Sequence, residues 1–180
     1  MGIGQRLSVA LALCALSGSA MAQLPANVAE KVEYYKTMLS QWATDGTIVD
    51  AVKASNTAGG IDPNMTNEMW DELSDNDQKV ATYRNSAAGK LLSSWETSHP
   101  INKLYVRDMK GKLVAMSQTK PLLYDISTRA GFAAAMKGTV WTDTEIKPDP
   151  LSMIKSVQIV APILSDGKPI GVIHSAVPIK

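Results

Sequence analysis

From Pro25 onward the apolar residues Val28, Val32, Tyr35, Leu39 and Trp42 recur at steps of four, three, four and three. That is the spacing of a single buried seam on a helix, and it predicts a helix running to about Ala43. Asp45 and Gly46 break the pattern, and Thr47 stands where it can cap a second helical piece, TIVDAVKAS. The turn-rich NTAGGIDPN, with its Gly59-Gly60 pair, reads as a loop between helices. Helical spacing resumes in NEMWDELS and in DNDQKVATYRNSAAGKLLSSWETS, where Val80, Arg84, Ala87, Leu91 and Trp95 lie three or four apart.

At His99-Pro100 the period changes from helical to alternating. INKLYVRD and KLVAMSQ, separated by the turn residues after Asp108, predict a hairpin. STRAGFAAAMK, closed by Gly138, predicts a short helix with Ser127 or Thr128 as its cap, and TVWTDTEI a third strand. SMIKSVQIVAPIL, the turn SDGKP and IGVIHSAVPI predict a closing hairpin. Long helices followed by five antiparallel strands, with one helix inserted after the second, make an α+β fold.

Composition fits this picture: 45% hydrophobic and 19% charged residues in 180 are enough apolar material for one core. The first 22 residues have the build of a secretory signal, with Arg6, the apolar run LSVALALCAL, and small residues at Ala20 and Ala22. Cleavage is expected after Ala22, giving a periplasmic or secreted chain that is not an integral membrane protein, since no later segment has the length of a membrane span. Cleavage would remove Arg6, one of 18 basic side chains, and none of the 17 acidic ones. The remainder carries no net charge and no basic cluster, which argues against nucleic acid as a partner. It also loses Cys14, the one cysteine, and with it disulfide, thiolate and cysteine-ligated metal chemistry.

Candidate catalytic groups are sparse. There is no GxSxG, the two histidines have no metal-ligand spacing, and no nucleophile, base and orienter can be assembled, so the expectation is a protein without enzymatic activity or cofactor. Binding chemistry is better represented. In YDISTRAGF, Tyr124 and Arg129 stand five apart beside a helix start, an arrangement suited to a carboxylate and equally to the polar surface of a turn. Trp141 and Asp143 share a strand face, and His174 lies in the last strand. Lys155 interrupts the apolar set Met153, Val157, Ile159 and Ala161, and is either a snorkelling edge residue or the counter-charge of an anion.

The segments INKLYVRDMKGKLVAMSQ, YDISTRAGFAAAMKG and SVQIVAPILSDGKPIGVIHSAVPI, in this order, resemble the Cache, or PDC, extracytoplasmic sensor domains. The resemblance covers about 80 residues, with the helical portion similar to the single-Cache branch. It implies a long N-terminal helix packed on a PAS-like five-stranded antiparallel sheet, with residues 1–22 as signal peptide, 23–98 helical and 99–180 forming the sheet. In the amino-acid-binding branch, a Tyr and an Arg hold the ligand carboxylate, followed by a Trp and an aromatic residue. Tyr124 and Arg129 match the first two, Gly131 replaces the Trp, and Phe132 takes the next place. Trp141 and Asp143 resemble the aromatic-x-Asp of the following strand, while Ala176 stands in place of the amine-binding Asp.

The resemblance implies a ligand-binding set of Tyr124, Arg129, Phe132, Trp141 and Asp143, to which the residue pattern adds Lys155 and His174, for a small carboxylate lacking an α-ammonium group. The sequence ends at Lys180 without an output domain, so a stand-alone binding protein that presents its state to a membrane-bound receptor or kinase is expected. The alternative is a structural or protein-interaction module with a degenerate pocket. The seam of the first helix would serve equally as a homodimer face or as packing on the sheet.

Overall fold

A computed structural model describes residues 24–179. The expected signal peptide and its cleavage site lie outside the described residues. Helix α1 (Ala26–Trp42) carries the expected seam, with Val28, Val32, Tyr35 and Leu39 buried. It packs on the sheet formed by the second half, and Trp42 stacks on Trp95 with ring centroids 4.8 Å apart. Packing within the chain thus covers the seam that was equally suited to a dimer.

Helix α2 (Gly46–Ala58) is capped by Asp45, whose carboxylate accepts the Thr47 amide, so the cap sits two residues before the expected Thr47. Gly59 ends the helix at φ +78°, a left-handed position open to glycine without cost. The short α3 (Asn67–Glu72) follows. The long helical stretch after it is two helices, α4 (Gln78–Asn85) and α5 (Ala87–Ser98). Ser86 causes the break: its extended backbone ends α4, and its hydroxyl accepts the Gly89 amide to start α5. The reversal presses the first turn of α5 onto α4, so a Cβ at Gly89 would collide with the Tyr83 and Arg84 carbonyl oxygens. The buried positions are accordingly Val80, Tyr83, Ala88 and Leu92 rather than the expected Arg84, Ala87 and Leu91.

The sheet is antiparallel. Strands β1 (Asn102–Asp108), β2 (Leu113–Met116), β5 (Lys155–Ser165) and β6 (Lys168–Pro178) form its body in the order β2-β1-β6-β5. The edge beyond β5, expected as one strand, is two fragments, β3 (Trp141–Thr142) and β4 (Lys147–Pro148), both paired to β5. Asp143 breaks it, because its carboxylate accepts the Glu145 amide at 3.2 Å and turns the backbone off the ladder. The fold is α+β, with N-terminal helices on a PAS-like antiparallel sheet.

One face of the sheet carries the main core. Leu104, Val106, Val157, Ile159, Ala161, Ile163, Ile173 and Val177 meet α1, α2 and α5 there. Each fully buried Val, Leu or Ile side chain contributes about 1.5–3 kcal/mol relative to exposure. The opposite face is split. Trp70, Tyr83, Tyr105 and Tyr124 form one cluster, while Phe132 and Ala135 of α6 (Ala130–Ala135) join Ile126, Val160 and Val172 in another.

A candidate anion-binding cavity

On this second face lies a cavity of about 440 Å³. Its floor is made by alternate residues of three strands: Lys103, Tyr105 and Arg107 of β1, His174 of β6, and Gln158 and Val160 of β5. The 121–132 segment, leading into α6, forms one wall, Trp141 and Asp143 another, and Pro150 and Leu151 reach in from the β4–β5 connection.

Arg107 dominates the electrostatics. It is 1% exposed, and its guanidinium donates to the Tyr124 carbonyl, to the Leu123 carbonyl at 2.9 Å and to His174 Nε2 at 3.3 Å. These partners fix the group but do not neutralise it, and among the described residues no carboxylate forms an ion pair with it. Burial pulls its pKa down to about 10, with nearby Tyr and Asp groups opposing, so the cation persists at neutral pH. A buried charge without a counter-ion is costly.

Beside it, Tyr105 is 2% exposed, and its phenol oxygen is the one buried side-chain polar atom among the described residues without a hydrogen-bond partner. Burial raises the Tyr105 pKa, opposed by Arg107, so the hydroxyl is a neutral donor. The Arg107 guanidinium carbon and the Lys103 ammonium stand 5.8 Å and 5.9 Å from the Tyr105 ring centre. Lys103 is paired with Asp149. His174 is held neutral by burial first, then by Arg107 and Lys103, its pKa falling well below the ordinary imidazole value.

Of the residues expected to bind ligand, Arg129, Phe132, Trp141, Asp143 and His174 line this cavity. Arg129 stands at the N-terminal end of α6 and forms no ion pair among the described residues; Asp125 instead accepts the Ser127 amide. No side chain caps α6, so the expected Ser127 or Thr128 cap is not made. Asp143 pairs with Lys147 at 3.3 Å. The Trp141 ring fills the space left by Gly131, where an added Cβ would approach Trp141 Cε3 to 2.7 Å.

Two expected residues lie elsewhere. Tyr124 faces away from the cavity: the Leu113 amide donates to its carbonyl, pairing the 124–126 segment alongside β2, and the side chain enters the Trp70–Tyr83 cluster. Its hydroxyl contacts that of Tyr83 at 3.3 Å and the Asp62 carbonyl at 3.1 Å. Lys155 begins β5 opposite Pro148 with its side chain in solvent, an edge residue and not a cavity wall. Lys103, Tyr105, Arg107 and Ser175 line the cavity without having been expected there. Their sequence signal was the alternation of Lys103, Tyr105 and Arg107 with the apolar Leu104 and Val106.

No protein-family model matches the chain, and no curated protein matches it. Among solved structures it is similar to the sensor domain of the Vibrio cholerae histidine kinase DctB, at 14% identity and a TM-score of 0.57, over 84% of this chain and 50% of that one. It is also similar to the ligand-binding domain of the Campylobacter jejuni chemoreceptor Tlp3 in complex with L-valine, at 16% identity and a TM-score of 0.44, over 86% and 64%. A third similar structure is the Escherichia coli DcuS sensor domain, at 12% identity and a TM-score of 0.42, over 74% and 92%. The fold is that of the Cache, or PDC, domains. This chain spans about half the length of the DctB domain it matches.

Proposed function

We propose that this protein is an extracytoplasmic binding protein of sensor type, whose cavity takes a short carboxylate lacking an α-ammonium group and whose bound and empty states are read by a membrane partner. The observation that carries this reading is the buried Arg107 guanidinium, without a carboxylate partner among the described residues, beside the unpartnered hydroxyl of Tyr105. A ligand carboxylate would supply the missing charge and the missing acceptor together. Arg129 adds a second cation at the wall.

The same inventory disfavours an amino acid. An α-ammonium group needs an acceptor carboxylate, but Asp149 is engaged by Lys103 and Asp143 by Lys147, and Ala176 offers none. Short carboxylates of the acetate, pyruvate or lactate kind supply the missing charge without bringing an ammonium group that the cavity would leave unpaired. The sensor role rests on the shared fold with a kinase sensor domain; the requirement it places on the partner is a different affinity for the two states.

The test is thermal denaturation of residues 23–180 against a panel of short carboxylates and amino acids, repeated with Arg129→Ala. A ligand at about 100 times its dissociation constant stabilises by on the order of 2.7 kcal/mol. Stabilisation by a carboxylate, weakened in the variant, supports the reading. Stabilisation by amino acids alone overturns the ligand class, and a well-folded protein that responds to nothing shifts the reading to an interaction module.

A further inference from the structure

The connection between β4 and β5 covers part of the cavity and is tied to β1 by a single charged pair. Asp149 is 1% exposed and uses its two carboxylate oxygens differently. Oδ1 accepts the Leu151 and Ser152 amides, both at 3.1 Å, and the Ser152 hydroxyl at 3.2 Å, which folds the connection on itself. Oδ2 takes the Lys103 ammonium. Two backbone bonds, from the Asp149 amide to the Ile154 carbonyl and from the Met153 amide to the Asp149 carbonyl, close the tip as a unit. Pro150 and Leu151 face the cavity, while Met153 is 71% exposed on the outside.

Lys103 is held in an unusual way for a strand residue. Its φ is +73°, a left-handed conformation that costs a non-glycine residue about 1 kcal/mol or more. The β1–β6 register slips there, between Asn102 and Leu104. The Lys103 amide donates to Glu96 Oε1 at 2.8 Å, and its carbonyl accepts the Ser175 hydroxyl at 2.8 Å. A bulge of this kind re-aims a side chain. Here the re-aimed side chain crosses the cavity edge to Asp149.

We propose that the tip spanning residues 149–154 is a lid over the cavity and that the Lys103–Asp149 pair is its latch. The remaining side-chain tie between tip and β1, among the described residues, is the neutral bond from Asn102 Nδ2 to the Ser152 hydroxyl, at 2.7 Å. Opening separates a buried ion pair, so the latch sets how often the cavity is accessible. It also turns Lys103 toward the cavity as a third cation, for which an entering anion and Asp149 compete. The lid and its latch stand on the contacts of residues 149–154 alone; only the identity of the entering group rests on the carboxylate reading.

The test is amide hydrogen exchange by NMR on the empty protein, with Asp149→Asn and Lys103→Met singly and together. The first substitution keeps an oxygen for the Leu151 and Ser152 amides but loses the charge, and the second keeps most of the side chain's length without its ammonium. Each single variant is expected to speed exchange at Leu151, Ser152 and Met153 by at least about tenfold, while β5 and β6 amides stay at their original rates. The double variant is expected to be no faster than the quicker single one, because both remove the same interaction. Unchanged exchange in both single variants, additive effects, or acceleration spread through β5 and β6 would each overturn the latch. Because no ligand is used, failure here is distinct from failure of the carboxylate screen.

Discussion

Replacing Tyr105 with Phe separates stability from binding, because the two effects have opposite signs. The ring of Tyr105 is packed among Met65, Trp70, Leu113 and Met116, and Phe preserves that contact. What disappears is a buried hydroxyl with no partner. Leaving a polar group buried and unsatisfied costs about 1–3 kcal/mol. Its removal should therefore leave the empty protein at least as stable, with a gain of up to about 1 kcal/mol if relaxation recovers part of the penalty. For a chain of this size that gain corresponds to a rise in Tm of about 2–4 °C.

With a carboxylate bound, the same hydroxyl becomes a donor to an ionised acceptor, a bond of about 1.5–3 kcal/mol. Its loss should weaken binding by about tenfold to a hundredfold. Thermal denaturation without ligand, followed by calorimetric titration with the carboxylate that most stabilises the original protein, reads both numbers. A variant clearly less stable when empty would mean that the hydroxyl already has a partner. Unchanged affinity would remove Tyr105 from the site and refute the reasoning.

Arg107→Met leaves the Leu123 and Tyr124 carbonyls without their donor, a loss partly offset by removal of a buried charge that has no counter-ion, and should cost about 1–3 kcal/mol net, read by urea unfolding; an unaffected midpoint would mean that the guanidinium does not organise the 121–126 wall. Gly131→Ala places a methyl against Trp141 and Val160 and should lower stability by about 1–3 kcal/mol while reducing carboxylate affinity, checked by the same denaturation and titration. His174 has its folded pKa depressed by burial, Arg107 and Lys103, so the unfolded chain binds the extra proton first as pH falls. Stability should therefore decline below about pH 6.5 with a slope contribution of up to about 1.4 kcal/mol per pH unit, and His174→Gln should flatten that part of the urea-unfolding profile. The Asp149 pKa is lowered as well, here in favour of the charged form: burial would raise it, but Lys103 and the Ser152 and Leu151 amides together hold it below the usual carboxylate value. Its contribution is present above about pH 4, the unfolded value, and is lost as pH falls through the lower folded one, so Asp149→Asn should be least different from the original protein in strong acid.

Local pattern was enough for much of this molecule. The seam of α1, the hairpins, the short helix before Gly138 and the α+β order all follow from period and turn chemistry, which act over a few residues. The misread positions needed one more contact to resolve. Ser86 could continue a helix or cap a new one, and the choice depends on α5 folding back against α4. The Asp143 carboxylate could lie along a strand or accept the Glu145 amide, and it does the latter.

The site was legible only in part, for a similar reason. Arg129, Phe132, Trp141, Asp143 and His174 were recoverable from their order along the chain, and they share a cavity. The strongest electrostatic group, Arg107, was not, because NKLYVRD alone does not say whether its polar face meets water or is roofed by the segment 121–132. Pairing beside β2 turns Tyr124 to the other side and brings its carbonyl to Arg107. Which residues alternate on each strand was already written in the chain, since backbone geometry sets that period. Which of those faces would be buried depended on segments far apart in the chain meeting over the sheet, and it is that meeting which leaves one hydroxyl without a hydrogen-bond partner and one guanidinium without a paired carboxylate, among the described residues, beside a cavity.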